Sequence, residues 1–264
     1  MKNITIAGEL GSGKTTVSNY LITKIDYKIV SAGMIFRNMA MKHNMSAKEF
    51  NEFIENDPHY DNYVDDTIAD MGKNENNIIF DSRMAWYFVP DSFKIYLYVD
   101  VNIAAERILN DKKRINESYN DFASAKQNII DRRKSEVLRY SNFYHVDVND
   151  YRHYDLIIDT GSADKQDINE LVLKSFQAYC NGREYDKIWL SPKSLNLIEN
   201  NCDDENKTLK VIKYNNCFYV FEGKNIVKNA IKENRTLLSV NTLYQENDIL
   251  PLGITAKEFI MKNK

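Results

Sequence analysis

The sequence predicts an α/β fold: a parallel five-stranded sheet flanked by helices, followed by a small α+β domain. Three observations carry this reading. First, β-like runs at 4–7, 26–30, 77–80, 94–99 and 154–159 alternate with helical stretches, and such alternation gives a parallel sheet covered on both faces. Second, the first strand runs straight into Gly8-Glu9-Leu10-Gly11-Ser12-Gly13-Lys14-Thr15, a complete G-x-x-x-x-G-K-[ST] loop. Third, the texture changes near Gly182 to short strand-like pieces.

Taken in order, Ile4-Thr5-Ile6-Ala7 is short and apolar, as a buried strand requires, and Val17, Leu21 and Ile22 repeat at helical spacing after the loop. Strand, glycine-rich turn and helix form the context in which such a loop works. Gly8, Gly11 and Gly13 let backbone N–H groups approach an oligophosphate where a Cβ would intrude. Lys14 supplies a point charge for the β- and γ-phosphates, and the Thr15 hydroxyl can join a Mg²⁺ shell. Ser12 and Thr16 complete the candidate triphosphate contacts at the positive end of the helix.

Bulk properties exclude several classes. The chain has 264 residues, 43% hydrophobic and 28% charged, with a net charge of −3. No nucleic-acid footprint is expected from that balance, and no membrane-surface patch. Cys180, Cys202 and Cys217 are too scattered for a disulfide framework or zinc site, and the four histidines form no ligand cluster. With no signal peptide before the first strand and no apolar run near 18 residues, a cytoplasmic protein is expected.

Further along, Ser31-Ala32-Gly33-Met34-Ile35-Phe36-Arg37 follows the second strand. Gly33 permits close approach of a ligand, and Arg37 projects one turn into a helix, where its planar fork can grip a phosphate. Arg132, Glu136 and Arg139 fall at i, i+4 and i+7 of a long helix starting near Asp121, so they share one face. That spacing fits either a solvated salt-bridge ladder or a ligand-facing cluster. Asp81 closes the third strand, as either a cap or a residue ordering Mg²⁺ waters. Lys165 to Tyr179 is the helix that closes the first domain.

The chain resembles the cytidylate kinases, especially their compact archaeal-type branch. The strings that carry the resemblance are Ile6-Ala7-Gly8 with its loop, 31–40, 45–50, 55–58, 132–140 and Tyr154-Asp155-Leu156-Ile157-Ile158-Asp159-Thr160. They run in order over residues 1 to about 178. The resemblance implies a P-loop NTPase fold of the nucleoside monophosphate kinase type, with Mg·ATP as donor and CMP or dCMP as acceptor. It also implies that Arg132 and Arg139 meet phosphate charge and that Glu136 faces the base. Ser31, Gly33, Arg37, Asp57 and Arg83 then serve the acceptor. Arg107 leads into a basic lid that includes Lys113 and Arg114. The family usually carries a glycine where Ser82 stands, so a left-handed backbone there would be strained. A nucleotide-sensing protein with weak turnover and a kinase for another small acceptor stay open as alternatives.

The predicted domains are residues 1–180 and 184–264, joined through Asn181-Gly182-Arg183. In the second, 187–190, 208–213, 217–221 and 237–243 look like strands, Tyr214-Asn215-Asn216 is a hairpin signal, and 226–233 is a short helix. Residues 218–224 faintly resemble the strand-to-turn segment of ParB-like domains. The His-Arg pair of those domains is replaced by Asn225 and Ile226. No nuclease or nucleotide-hydrolysis activity is therefore expected of this domain, but an accessory module with a protein partner or a regulatory role.

Overall fold

The computed structural model describes residues 2–45, 49–50, 58–111, 121–198 and 208–263. Asp57, Lys113, Arg114 and Cys202 lie outside them. Five strands, β1 (Ile4–Gly8), β2 (Lys28–Ser31), β3 (Ile78–Asp81), β4 (Phe93–Tyr98) and β5 (Leu156–Asp159), run parallel in the order β5-β4-β1-β3-β2. The central strand β1 is buried along its whole length. Its apolar residues and those of β4 and β5 face helix α1 (Lys14–Leu21) and helix α7 (Lys165–Cys180) through Val17, Leu21, Ile168, Val172 and Phe176. Around β2 and β3, a second cluster packs helix α2 (Ala32–Lys42) and helix α3 (Pro58–Asn74) through Ile35, Met39 and Ile68. A short helix α4 (Ala85–Phe88) follows β3.

Carboxylates start the helices that leave the strand ends. Asp100 accepts from Asn102 N at 2.8 Å to begin α5 (Val101–Asn110), and Asp164 accepts from Gln166 N at 2.7 Å to begin α7. Asp121 and Ser124 form a reciprocal capping box for α6 (Phe122–Tyr144), the longest described helix.

The sheet does not stop at β5. Strand β6 (Ile188–Leu190) adds parallel to β5, and β10 (Leu238–Ser239) adds antiparallel to β6, so the main sheet has seven strands. A second sheet of four strands has the order β11-β8-β9-β7, built from β7 (Leu195–Leu197), β8 (Lys210–Tyr214), β9 (Cys217–Glu222) and β11 (Thr242–Tyr244). Asn215 and Asn216 both have positive φ, 47° and 57°, which is the two-residue turn the β8–β9 hairpin needs. Helix α8 (Lys224–Lys232) follows β9, and α9 (Ala256–Asn263) packs on this sheet through Phe259 and Ile260. The run at 237–243, expected as one strand, is two. Val240 N donates to Ile188 O at 2.9 Å, whereas Asn241 N donates to Leu209 O at 2.9 Å. The chain therefore leaves one sheet for the other between these residues.

One apolar cluster spans the 181–183 junction. Tyr96 and Tyr98 of β4 pack with Tyr151, Val220 and Phe218, the Tyr98 and Phe218 rings lying 4.9 Å apart edge to face. Tyr98 OH also donates to Asn216 O at 3.1 Å. Within this interface sits Lys213, only 8% exposed. Burial first, and the nearby Arg133 charge second, push its ammonium from 10.5 down to about 8. Between those values the unfolded chain binds more protons, so stability rises with pH there. Urea unfolding at pH 7.5 and 10 is expected to show a gain in the wild type over Lys213→Met of roughly 2 kcal/mol. Equal pH dependence in the two proteins would mean that Lys213 is not buried as a cation.

Among the described residues no helix is long and apolar enough to cross a membrane.

Candidate active site

A continuous cleft of about 1550 Å³ opens along the carboxyl ends of the strands. At one end is the glycine-rich loop. Gly8 has φ 141°, and a Cβ there would fall 2.2 Å from Leu97 O, so no other residue fits without moving β4. Gly13, at φ 90°, is the N-cap of α1 and supplies no side-chain cap. The first N–H groups of the helix are left for a ligand. Ser12 Oγ is buried without a partner, a state that costs about 1–3 kcal/mol unless an acceptor such as a phosphate oxygen arrives. Lys14 Nζ rests on Gly8 O at 3.1 Å and Glu9 O at 2.9 Å.

Thr15 Oγ1 donates to Asp81 Oδ2 at 3.2 Å. This hydroxyl and carboxylate are hard oxygen donors beside the phosphate loop, the donor set that Mg²⁺ uses together with phosphates and water. Among the described residues no three His, Cys, Asp or Glu side chains converge. An ion here would take its remaining ligands from a triphosphate and water. The residues fit Mg²⁺.

At the other end, Glu136 on α6 is 8% exposed and lies between two guanidinium groups. Arg83, two residues beyond β3, forms an ion pair with Glu136 Oε1, and Arg132 Nε reaches the same oxygen at 3.2 Å. Burial first, and Arg132 second, lower the Arg83 pKa to about 10, so it remains a cation near neutrality. Arg139 lies over the Tyr140 ring, 5.1 Å from its centroid. The i, i+4, i+7 face of α6 therefore does turn into the cleft, and Lys14, Arg83, Arg132 and Arg139 all line it. Ser82 is not among the positive-φ residues, so serine fits there without backbone strain.

Arg107 also lines the cleft. Arg107 donates to Gly11 O at 3.2 Å, Thr160 Oγ1 at 3.3 Å, Thr160 O at 2.6 Å and Gly161 O at 3.3 Å. Its donors brace the phosphate loop against the turn after β5 at the wall of the cleft. Ser31 caps α2, accepting from Met34 N at 3.1 Å. Arg37 is exposed on α2, with its guanidinium near Gly33, and neither residue lines the cleft. The reason is helical phase: α2 buries Ile35 and Met39, and a residue two beyond Ile35 points about 200° away. Asp65 and Tyr144 were not singled out from the sequence, yet they line the cleft as a hydrogen-bonded pair.

The model of the cytidylate kinase-like family matches residues 3–162. The chain belongs to that family. Cytidylate kinases of Archaeoglobus fulgidus and Methanobrevibacter smithii are 33% and 34% identical to it over 175 and 174 residues, covering 66% of this chain and 94% and 98% of theirs. That of Methanosphaera stadtmanae is 33% identical over 177 residues. In this member of the cytidylate kinase-like family, β6 to α9 lie beyond the residues the family model matches.

Proposed function

We propose that this protein is an ATP-dependent nucleoside monophosphate kinase whose acceptor is CMP or dCMP. The observation that carries the reading is the continuity of the cleft. It holds the phosphate loop at one end and the Arg83–Glu136–Arg132 cluster at the other.

The reaction is an in-line displacement. An acceptor phosphate oxygen bonds to the γ-phosphorus of ATP as the bond from that phosphorus to the β–γ bridging oxygen breaks, leaving ADP. The attacking oxygen is already anionic and needs no general base. Catalysis is then positioning and charge neutralisation. Lys14 moves from the Gly8 and Glu9 carbonyls to the β- and γ-phosphates, and the backbone N–H groups at the start of α1 hold their oxygens. Arg132 and Arg139 face the transferring group from α6. Thr15 and Asp81 would hold Mg²⁺, which would supply charge neutralisation for the transferred phosphoryl group. Arg83 and Glu136 take the acceptor, and the carboxylate accepts from the cytosine N4 amino group. Uracil would present O4, a second acceptor, to the same carboxylate.

A coupled assay of ADP release with CMP, dCMP, UMP, dTMP and AMP, run beside binding of each, tests the reading. Turnover is expected with the cytidylates above all. Tight binding without turnover would favour a nucleotide sensor on the same fold. Phosphorylation of a non-cytosine acceptor alone would reverse the role given to Glu136.

A further inference from the structure

Glu9 is the second residue of the phosphate loop, yet it is not among the residues lining the cleft, and its carboxylate is bound by β4 and α6. Tyr96 OH donates to Glu9 Oε1 at 2.5 Å, and Arg133 NH2 lies 3.5 Å from the same oxygen, both side chains of the ion pair being only 15% exposed. The Glu9 backbone is held too. Its N–H donates to Leu97 O at 3.0 Å, and its carbonyl accepts from Ser12 N at 3.3 Å and from Lys14 Nζ at 2.9 Å. The orientation of Glu9 therefore sets where the loop leaves the sheet and where Lys14 starts.

Arg133 carries this anchoring outward. It neighbours Arg132 on α6, and its NH2 donates to Tyr96 OH at 3.2 Å and to Asn149 Oδ1 at 2.8 Å. Asn149 is held in turn from the second sheet, where Lys213 Nζ donates to Asn149 O at 3.0 Å and sits 3.7 Å from the centroid of the Tyr151 ring. The 147–151 loop is also clamped by Gln245, whose Nε2 donates to Asp150 Oδ1 at 2.6 Å. A connected polar chain thus runs from β8 through the loop and α6 to the phosphate loop, inside an apolar interface.

From this chain we infer that Lys213 is a positioning residue for the ATP site, acting through Asn149 and Arg133 on Glu9. The second sheet thereby becomes part of the nucleotide machinery. A buried cation is costly to keep, and Met in its place would satisfy the surrounding rings. The place of Lys213 at the end of a chain that reaches the phosphate loop is the physical argument for a role beyond packing. Asp147 and Asp150, on the loop, and Glu9 are the anionic groups near it, and Arg133 is the opposing cation. The inference rests on ATP binding at the loop and not on the identity of the acceptor.

The test uses the full chain and reads Mg·ATP and CMP binding separately by calorimetry. Lys213→Met is expected to weaken Mg·ATP binding about tenfold, within the range of couplings inside one polar network, while CMP binding changes by less than about twofold. Lys213→Arg, which keeps the charge and a donor, restores most of the loss. Glu9→Gln reproduces it, and the double variant Glu9→Gln with Lys213→Met is no weaker than the worse single. Unchanged ATP affinity, equal loss for both ligands, or single losses that multiply in the double variant would each overturn the inference. If Lys213→Met does not fold, Asn149→Ala cuts the same chain at the Arg133 contact and must show the same ATP-selective loss. Should the wild type fail to phosphorylate any monophosphate, the kinase reading falls, while ATP binding by these variants still decides this one.

Discussion

Arg132→Ala lowers kcat for phosphoryl transfer to CMP by about 10³-fold or more, with little change in thermal unfolding. The magnitude follows from what an arginine aimed at transferring phosphate contributes, about 10³ to 10⁵ in rate. The stability expectation follows from position. The Arg132 side chain is 44% exposed, and its removal leaves Glu136 with the more buried Arg83 as counter-charge. Lys14→Ala should lose turnover on a comparable scale, since its ammonium, resting on the Gly8 and Glu9 carbonyls, is the point charge of the phosphate loop. The pair separates two contributions: Lys14→Ala should weaken ATP binding as well, whereas Arg132→Ala should act on kcat. Steady-state kinetics beside a melting curve checks both. Turnover within about tenfold of wild type in Arg132→Ala, far short of that range, would remove it from the reacting end of the cleft.

How much of this was readable from residues alone depends on the range of the interaction. The phosphate loop is local, so its glycines, Lys14 and Thr15 could be named outright, and a hydrogen bond now ties Thr15 to Asp81. The α6 face was legible because helical periodicity fixes which residues share a side. Arg37 shows the limit of that logic. Spacing put it one turn into a helix, but which face of α2 is buried depends on Ile35 and Met39 meeting Phe50 and Ile68 across the core. The sequence marks Arg107 as a site residue, while its partners, Gly11 and Thr160, are carbonyl and hydroxyl groups that any sequence could supply. The Glu9–Arg133–Lys213 chain joins residues far apart in sequence, and no local pattern announces it. The run at 237–243 read as one strand because apolarity does not record which sheet a strand joins. Only the hydrogen bonds at Val240 and Asn241 place the change of sheet.

Glu136→Gln should lower the preference for CMP over UMP, measured as the ratio of kcat/KM values, by about 10- to 10²-fold, the discrimination of a well-placed acceptor for the cytosine amino group. Both ion-pair contacts of Glu136 fall on Oε1, and a carboxylate has further lone pairs for a ligand on its other oxygen. Glutamine can turn either its oxygen to cytosine N4 or its amide N–H₂ to uracil O4, so it removes the basis for rejecting uracil. Absolute activity will fall as well. Arg83 and Arg132 lose their shared counter-charge, and breaking a buried pair costs about 3–5 kcal/mol when fully desolvated. That loss is common to both substrates and cancels in the ratio, which is why the ratio is the quantity to measure. Arg83→Met offers the converse control: with Glu136 left charged, it should weaken acceptor binding and still reject UMP. A Glu136→Gln protein that keeps the full wild-type preference would move pyrimidine selection to another carboxylate in the cleft wall, and Asp65, held by Tyr144, is the one positioned to be examined next.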